Sequence, residues 1–477
     1  MSWSYLRFVG CLAAWGLLCG ATYAERPAEV FEPNYVAVED VPLSTPNGKS
    51  LGILKKGTAV AARVVGKGIF DVKTADGQVG FADARWFSRL GSSILITEEA
   101  RGVAAANNQF ALELYREAKP AAGNLFVSPA SISTALAMAY AGAAGRTREE
   151  MAAVLHFGPQ LPVDAGFAKL MEVMNSTGDR NGYTLTTANR LWAAADGRFH
   201  DNYLALTRDR YHASLQTLDF NRTEEARATI NDWVEQQTRN KIVDLIPTGV
   251  LNSDTRLVLT NAVYFLGGWA SEFSKQATKD APFYLSVDAE SKVPTMYQQE
   301  TLAYTEDADV QVLSLPYRDR SLSMVIILPK DRAGLKQLED KLTAEVFAGW
   351  MENLRATRPV DVYLPKFKLR SQLMLSDTLE RMGMTTAFTN AADFSAMSSS
   401  EGLKISEVIH EAFVDVDEKG TEAAAATAVV MAPTSALLTE EPPKPILFRA
   451  DHPFVFAVRD ARTGAVLFLG RMEDPTK

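Results

Sequence analysis

The sequence predicts an α+β chain of more than one domain, in which a small all-β unit precedes a larger unit of mixed helices and strands. Its length of 477 residues exceeds that of a typical single domain. Residues 35–90 contain short β-type runs separated by turn residues, whereas helical and strand-like patterns are mixed from about residue 98. The composition, 47% apolar and 22% charged, is that of an ordinary globular protein and excludes a disordered or fibrous chain.

The first 24 residues have the pattern of a secretory signal peptide. Arg7 precedes the apolar run 8–18, and small residues end at Ala24. The apolar run is shorter than the ~20 residues that a membrane-spanning helix needs. We therefore expect cleavage after Ala24 and a secreted protein, either extracellular or periplasmic. Both cysteines, Cys11 and Cys19, would leave with the signal peptide, so the mature chain would contain no disulfide.

The charge balance argues against a nucleic-acid partner. The chain carries 49 basic and 58 acidic residues, a net charge of −9. Nucleic-acid surfaces usually show a basic patch or stripe instead.

The β-type runs of the first unit resemble bacterial SH3-like barrels over residues 33–91. Asp76-Gly77 between two runs is a strong hairpin signal. The resemblance rests on Leu51-Gly-Ile-Leu-Lys-Lys-Gly-Thr58 followed by Val72-Lys-Thr-Ala-Asp-Gly-Gln-Val-Gly-Phe81. It implies a small barrel that binds a cell-wall peptide or glycan. Many relatives have Gly-Trp where this chain has Gly80-Phe81, so a passive spacer is the alternative.

In the second unit, periodicity predicts individual helices and strands. A helical stripe is expected at Phe110, Ala111, Leu114 and Ala118, and Asn221 with Glu224 indicates a capped helix start. Strands are predicted over the following runs: 323–328, 360–364, 455–458 and 465–469. The last two flank Asp460-Ala-Arg-Thr-Gly464, a hairpin connection that ends in glycine.

No motif of a catalytic, metal or cofactor site is present. The five histidines are His156, His200, His212, His410 and His452, and none belongs to His-Glu-x-x-His. Gly-x-Ser-x-Gly and a Rossmann glycine fingerprint are missing as well. We therefore predict that the chain is not an enzyme and needs no cofactor or metal. A scattered serine–histidine–aspartate triad, in an unrecognised hydrolase, is the weakest hypothesis.

Residues 421–432 have conflicting local preferences. Glu422-Ala-Ala-Ala-Ala426 favours a helix, Thr427-Ala-Val-Val430 favours a strand, and Gly420 provides a flexible joint before both. As a strand, one face would carry only small or uncharged side chains, which could enter a sheet without burying a charge: Thr421, Ala423, Ala425, Thr427 and Val429. The segment alone leaves both conformations open.

Five motifs in sequence order resemble the serpin family. They are Asn124-Leu-Phe-Val-Ser-Pro-Ala-Ser-Ile132, Leu259-Thr-Asn-Ala-Val-Tyr-Phe265 with Trp269, Leu364-Pro-Lys-Phe367, His410 through Gly420-Thr-Glu-Ala-Ala, and Phe448-Arg-Ala-Asp-His-Pro-Phe454. The resemblance covers residues 98–477. It implies the serpin fold, with three β-sheets, eight to nine helices and an exposed reactive loop at about 420–447.

The resemblance also implies a function. In serpins a protease attacks the loop and forms an acyl-enzyme, and the cut loop then inserts as a sixth strand into a five-stranded sheet and traps the protease. Twelve residues, 421–432, would add about 40 Å of strand at ~3.3 Å per residue. We therefore expect a monomeric serine-protease inhibitor that acts as a suicide substrate. The alternative is a non-inhibitory serpin that serves as a binding or scaffold protein at the cell envelope.

The serpin motifs assign roles to particular residues. The family's shutter, a polar cluster beneath the opening strands, falls on Ser128, Ser131, Asn261 and His410, and the breach, where the loop enters, falls on Trp269. The hinge falls on Gly420, Thr421, Glu422, Ala423, Ala424, Ala425 and Ala426.

The reactive bond is located by counting along the loop. Fifteen residues from Gly420, as is usual in the family, end at Thr434, so the bond would join Thr434 and Ser435. The alternative is a cut after Leu437 or Leu438. Residues 420–443 contain no lysine or arginine, which argues against a trypsin-like target. An elastase-, subtilisin- or chymotrypsin-like serine protease is expected, or else a cysteine protease.

Overall fold

The chain divides into two compact units, Met1–Leu95 and Ile96–Lys477, in a computed structural model. The structure describes residues 35–37, 41–45, 50–55, 58–66, 69–74, 79–83, 87–89, 96–175, 183–286, 288–318, 320–421 and 444–477. The predicted signal peptide, residues 1–24, lies outside these residues. The predicted domain bounds, 33–91 and 98–477, and the secreted localisation stay predictions.

The described residues of the first unit form seven short strands, which are β1 (Tyr35–Ala37), β2 (Val41–Ser44), β3 (Ser50–Leu54), β4 (Ala59–Gly66), β5 (Ile69–Thr74), β6 (Val79–Asp83) and β7 (Phe87–Arg89). They pair in one antiparallel sheet in the order β3-β2-β6-β5-β4-β1-β7. Its small core consists of Val41, Leu43, Leu54, Val60, Val72 and Ala82. In the described part of this unit no pairing joins the edge strands β3 and β7. A closed barrel is therefore not confirmed, and the SH3-like assignment stays a prediction.

Strand β2, which was not among the predicted runs, has Pro42 in its middle. Proline cannot donate to a strand ladder, so it argues against an interior strand. Packing overrides this preference here, since Val41 and Leu43 lie in the core of the unit.

The second unit contains nine α-helices among its described residues, which confirms the predicted number. They are α1 (Glu98–Ala118), α2 (Pro129–Ala141), α3 (Gly145–Val154), α4 (Val163–Asn175), α5 (Asp201–Tyr211), α6 (Thr223–Gln237), α7 (Leu335–Lys341), α8 (Ala344–Asn353) and α9 (Ser376–Arg381). Helix α1 contains the predicted stripe, of which Phe110, Ala111 and Leu114 are buried and Ala118 is half-buried. No helix in the described ranges is long and apolar enough to cross a membrane.

The predicted cap of helix α6 is wrong. The N-cap residue is Arg222, which makes no side-chain capping bond. Asn221 is already engaged, because both its backbone N–H and its Nδ2 donate to Oδ1 of Asp219, each at 3.0 Å. Asp219 thus closes a local turn ahead of the helix, and this turn competes with capping.

The described residues of the second unit also form sixteen strands. They are β8 (Leu125–Val127), β9 (Tyr183–Ala194), β10 (Gln216–Leu218), β11 (Leu257–Gly268), β12 (Lys279–Tyr284), β13 (Glu290–Thr301), β14 (Ala303–Glu306), β15 (Val310–Pro316), β16 (Leu322–Pro329), β17 (Pro359–Pro365), β18 (Phe367–Met374), β19 (Ile405–Asp417), β20 (Gly420–Thr421), β21 (Ile446–Arg449), β22 (Phe454–Asp460) and β23 (Val466–Met472).

These strands form three sheets, as predicted. Sheet 1 has the order β10-β9-β11-β20-β19-β18, sheet 2 the order β14-β15-β16-β22-β23-β8, and sheet 3 the order β12-β13-β17-β21. Helix α2 packs against β9 and β11 of sheet 1 and against β23 of sheet 2. All of its residues from Pro129 to Tyr140 are buried. The main core therefore lies between sheets 1 and 2, directly beneath β11.

Candidate site of strand insertion in sheet 1

Strands β11 and β19 lie side by side in parallel at the centre of sheet 1. Their register runs from Leu257 opposite Ile405 to Tyr264 opposite Phe413. Their outer neighbours, β9 and β18, are antiparallel to them. A segment that entered between β11 and β19 in the opposite direction would replace one parallel pairing by two antiparallel pairings, which are slightly more stable per residue.

One end of this pair has already separated and holds strand β20. Thr421 lies between Gly267 of β11 and Val416 of β19, and Gly420 lies between Gly268 and Asp417. Both pairings are antiparallel. The first two residues of the predicted hinge are therefore already part of the sheet.

A tight turn leads from β19 into β20. Oδ1 of Asp417 accepts hydrogen bonds from the backbone N–H of Lys419 at 2.8 Å and of Gly420 at 3.3 Å. Gly420 has φ 147°, in a region that L side chains rarely adopt. A Cβ at this position would collide with the carbonyl oxygen of Gly267. Only glycine fits at this turn.

The side chain of Thr421 is fully buried against an aromatic pair. Its Oγ1 lies 3.0 Å from Oη of Tyr317, and the Tyr317 ring stacks on Trp269 at 4.8 Å between centroids. Burial raises the pKa of Tyr317, so the phenol stays protonated. Trp269, the predicted breach residue, donates from Nε1 to the carbonyl oxygen of Asp417 at 3.0 Å. Trp269 thus holds the turn that starts β20.

Sequence reasoning missed Tyr317 and Glu418 as members of this site. Glu418 is buried and accepts from Nζ of Lys366 at 2.8 Å and from Oγ1 of Thr278 at 2.9 Å. Burial by itself raises the pKa of Glu418, but these hydrogen bonds outweigh it, and the net pKa is lowered. Lys366 lies within the Leu364-Pro-Lys-Phe367 motif, which was the available signal for this ion pair.

The four predicted shutter residues lie together where helix α2 meets β11, which carries Asn261, and β19, which carries His410. The backbone N–H of Ser128 donates to Nε2 of His410 at 3.1 Å, and Nδ1 of His410 lies 2.5 Å from Oδ1 of Asn261. Nδ2 of Asn261 donates to Oγ of Ser131 at 2.6 Å. One continuous hydrogen-bond network joins helix α2 and its N-cap residue, Ser128, to the two strands.

This network requires a neutral histidine of one tautomer. Because a backbone N–H can only donate, Nε2 of His410 must accept from Ser128, and Nδ1 must carry the proton that it donates to Asn261. Burial lowers the pKa of His410 to about 3, which keeps the ring neutral near pH 7.

Asn189 is a further member of the network that sequence reasoning missed. Its Oδ1 accepts from Nδ2 of Asn261 at 2.6 Å and from Oγ of Ser131 at 2.9 Å. In the register of sheet 1, Asn189 lies opposite Asn261, which in turn lies opposite His410. The three side chains form a polar row across β9, β11 and β19, at one level of the sheet. Asn189 stands next to Arg190 and two residues after Thr187 in β9, so no local pattern distinguished it from its neighbours.

We expect the neutral state of His410 to make stability depend on pH. Its folded pKa lies below the ordinary value of 6.5, so the unfolded chain takes up a proton that the folded chain does not. Between pH 6.5 and 5 the free energy of unfolding should fall by about 2 kcal/mol from this residue alone. Denaturant unfolding across this range should show the loss. The variant His410→Gln should remove it, and an unchanged pH slope in that variant would contradict the assignment.

The remaining predicted site residues lie outside the described part of the chain. These are the hinge residues Glu422, Ala423, Ala424, Ala425 and Ala426 and the candidate reactive-bond residues Thr434, Ser435, Leu437 and Leu438. The described chain resumes at Lys444 and enters β21, which pairs in parallel with β17 at the edge of sheet 3. Within the described ranges, no group of three or more His, Cys, Asp or Glu side chains could hold a metal ion.

A family model and the sequences of known proteins assign most of this chain to the same family. The family model described as serpin (serine protease inhibitor) matches residues 105–475. Leukocyte elastase inhibitor from Xenopus laevis is 41% identical over 383 residues, and the one from Bos taurus is 43% identical over 390 residues. Each alignment covers 78% of this chain and 99% of the relative.

Solved structures are similar over the same part of the chain. Uncleaved ovalbumin superposes with a TM-score of 0.70 at 31% identity and covers 78% of this chain and 100% of its own. Serpin48 from the insect Tenebrio molitor, described as highly specific, has a TM-score of 0.70 at 33% identity, with 79% and 99% covered. Human thyroxine-binding globulin in complex with its ligand has a TM-score of 0.71 at 28% identity, with 80% and 100% covered.

Proposed function

This chain belongs to the serpin family of protease inhibitors, and from that membership we propose that it inhibits a serine protease as a suicide substrate. The protease serine attacks the carbonyl carbon of the reactive bond. An ester forms to the serine oxygen, and the peptide bond breaks. The amine at the new amino terminus takes up the proton of the serine hydroxyl, and the C-terminal part of the chain remains folded in sheets 2 and 3 through β21, β22 and β23. The freed N-terminal part then inserts between β11 and β19 before water hydrolyses the ester.

The observation that carries this proposal is strand β20. Gly420 and Thr421 already pair with β11 on one side and β19 on the other, in the antiparallel direction that insertion requires. Insertion of the following residues would therefore extend an existing strand and would not have to nucleate a new one. Starting a β-pairing between distant segments costs chain entropy, whereas adding residues to a formed strand costs less.

The sequence of the loop suits the space between the two strands. Extension beyond Thr421 must separate β11 from β19 along the register that ends at Leu257 and Ile405, and it must separate Asn261 from His410. The new strand offers its own backbone groups to both neighbours, so no ladder is left unpaired. The face that begins with Thr421 continues with Ala423 and Ala425, which fit a buried sheet without burying a charge.

We propose an elastase-like protease as the target. The relatives from Xenopus laevis and Bos taurus are named leukocyte elastase inhibitors. The candidate bond Thr434–Ser435 has a small β-branched residue on its acyl side, which suits a shallow substrate pocket. Residues 420–443 contain no lysine or arginine for a trypsin-like pocket.

Incubation with an elastase-like protease tests both the suicide-substrate mechanism and the position of the reactive bond. We expect an adduct that survives denaturant and a released C-terminal fragment that begins at Ser435, identified by mass spectrometry. A fragment that begins at Leu438 or Thr439 would place the bond at Leu437 or Leu438 and favour a chymotrypsin-like target. Clean cleavage without an adduct would contradict suicide inhibition and favour the non-inhibitory scaffold.

For the first unit we propose a role in localisation. Its resemblance to SH3-like domains and the predicted signal peptide together suggest a secreted inhibitor held at a cell wall. Every described residue of the breach and the polar row lies beyond residue 120, so strand insertion has no evident need of this unit. Tethering would raise the local concentration of inhibitor where proteases arrive.

A further inference from the structure

The turn between β10 and helix α6 carries the triplet Asn221-Arg-Thr223. An asparagine followed two residues later by serine or threonine, with no proline between them, is the acceptor pattern for N-linked glycans on secreted proteins. The sequence contains one other such triplet, Asn175-Ser-Thr177, which extends beyond the described residues. Only the triplet at Asn221 lies wholly within the part of the chain that the structure describes.

The side chain of Asn221 has no structural task outside this turn. The buried Asn107 and Asn231 each donate from Nδ2 to a backbone carbonyl group of another segment, at 2.9 Å and 3.0 Å. Asn221 is exposed, and among the described residues its side chain bonds only to Asp219. It does not cap α6 either, because the N-cap residue is Arg222. The fold therefore leaves this asparagine available for modification.

The turn presents the amide of Asn221 to solvent. Phe220, the residue before it, is 2% exposed and packs in the apolar core between α6 and sheet 1. The side chains of Asp219 and Arg222, on either side of this pair, are 50% and 68% exposed. A bulky group on Nδ2 of Asn221 would therefore extend into solvent without displacing a packed side chain.

The hydrogen bonds of the turn are compatible with a substituted amide. A primary amide has two N–H donors, and Nδ2 of Asn221 donates to Oδ1 of Asp219 at 3.0 Å. A glycan replaces only one of these hydrogens, so the other can still donate to Asp219. The backbone N–H of Asn221 donates to the same oxygen at 3.0 Å and holds the turn independently of the side chain.

We propose that Asn221 is an acceptor site for an N-linked glycan. The inference goes beyond the proposed inhibition of a protease and rests on the predicted export of the chain. The co-reactant is an oligosaccharide joined to a membrane lipid through a diphosphate. Nδ2 of Asn221 attacks the anomeric carbon of the first sugar and forms a C–N bond. The C–O bond to the diphosphate breaks, the lipid diphosphate leaves with the electron pair, and the proton lost by Nδ2 passes through a base of the transferase to water.

The transferase that catalyses this step must reach both Asn221 and Thr223. The lone pair of an amide nitrogen is delocalised into the carbonyl group, so the amide does not react without an enzyme. Thr223 is half-buried at the start of α6, and its Oγ1 donates to the carbonyl oxygen of Phe220 at 3.0 Å. This bond is local to an exposed turn at a helix end, and such segments open at a low free-energy cost. The triplet is therefore accessible before folding and again whenever the turn opens.

Digestion with trypsin isolates the site in one peptide. Cleavage after Arg210 and Arg222 releases residues 211–222, in which Asn221 is the only asparagine. The full chain is expressed with its own first 24 residues in cells whose export pathway carries out N-glycosylation, and the protein is recovered from the medium. We expect mass spectrometry to show this peptide heavier by the mass of the oligosaccharide, with the sugar located on Asn221 by fragmentation.

Two variants of Thr223 are the matched controls, because both leave the sequence of peptide 211–222 unchanged. Thr223→Ser keeps the acceptor pattern and should keep the added mass. Thr223→Val has nearly the same shape but no hydroxyl group, and it should lose the added mass. A sugar on Ser214 or Thr217, which lie in the same peptide, would persist in the valine variant.

A failure of the site is distinguishable from a failure of export. If the chain stays inside the cells, a version with the signal peptide of the host in place of residues 1–24 provides the exported protein for the same measurement. An unmodified peptide 211–222 in the exported protein would overturn the proposal, and so would an added mass that persists in Thr223→Val. Suicide inhibition would stand in both cases, because it is measured by the adduct with the protease.

Discussion

Cleavage of the loop between residues 430 and 440 should raise the melting temperature of this protein by tens of degrees. A nick usually weakens a protein, because it gives the unfolded chain more freedom. Here it would release a segment that can extend β20 through the whole of sheet 1. About ten newly paired residues, at about 1 kcal/mol for each net hydrogen bond, would contribute on the order of 10 kcal/mol to the free energy of unfolding.

Circular dichroism of the intact and the cleaved protein measures this shift directly. The new strand should pass between Asn261 and His410 and so break the polar row that these two residues form with Asn189. The pH dependence of the free energy of unfolding that we attribute to His410 should therefore change on cleavage as well. A melting temperature that is unchanged or lower after clean cleavage would rule out insertion and point to a non-inhibitory serpin.

Replacement of Thr421 by arginine should turn the inhibitor into a substrate. Thr421 is fully buried, with its hydroxyl group against Tyr317. A guanidinium at this position would lose its hydration without gaining a partner, which costs several kcal/mol. We expect β20 to leave the sheet, insertion to stall after cleavage, and water to complete the hydrolysis of the acyl-enzyme. Denaturing gels should then show cleaved serpin and free protease in place of an adduct.

The variant Thr421→Val is the matched control for this experiment. Valine has nearly the shape of threonine and can be buried in a strand, but it leaves the hydroxyl group of Tyr317 without its partner. That loss costs about 1–3 kcal/mol, so we expect a less stable protein that still inhibits. If the arginine variant continued to form denaturant-resistant adducts at the wild-type stoichiometry, insertion at β20 would not be the trapping step.

Local sequence patterns determined much of the secondary structure. The apolar spacing in helix α1 and the hairpin signal at Asp460–Gly464 each depend on neighbours in the sequence, and both appear where they were expected. Patterns failed where a distant or competing contact decided the outcome. Asp219 takes Asn221 away from the cap of α6, and packing of Val41 and Leu43 places Pro42 within a strand.

The resemblance to serpins placed Ser128, Ser131, Asn261 and His410 in one cluster, and the structure brings them into hydrogen-bond contact. It did not reveal Asn189 or Tyr317, which lie far from those motifs in sequence. Both join the site only through cross-strand register and ring stacking.

The amino-acid sequence by itself determined the family and those helices and strands that have strong local periodicity. It also determined that the loop segment after Gly420 can present a face without charged side chains to the interior of a sheet. Local preferences left open whether the residues after Gly420 form a helix or a strand, because alanine favours a helix and the β-branched residues favour a strand. Only the tertiary structure decided that Gly420 and Thr421 are strand, because β11 and β19 part at that end and leave unpaired backbone groups that the hinge satisfies.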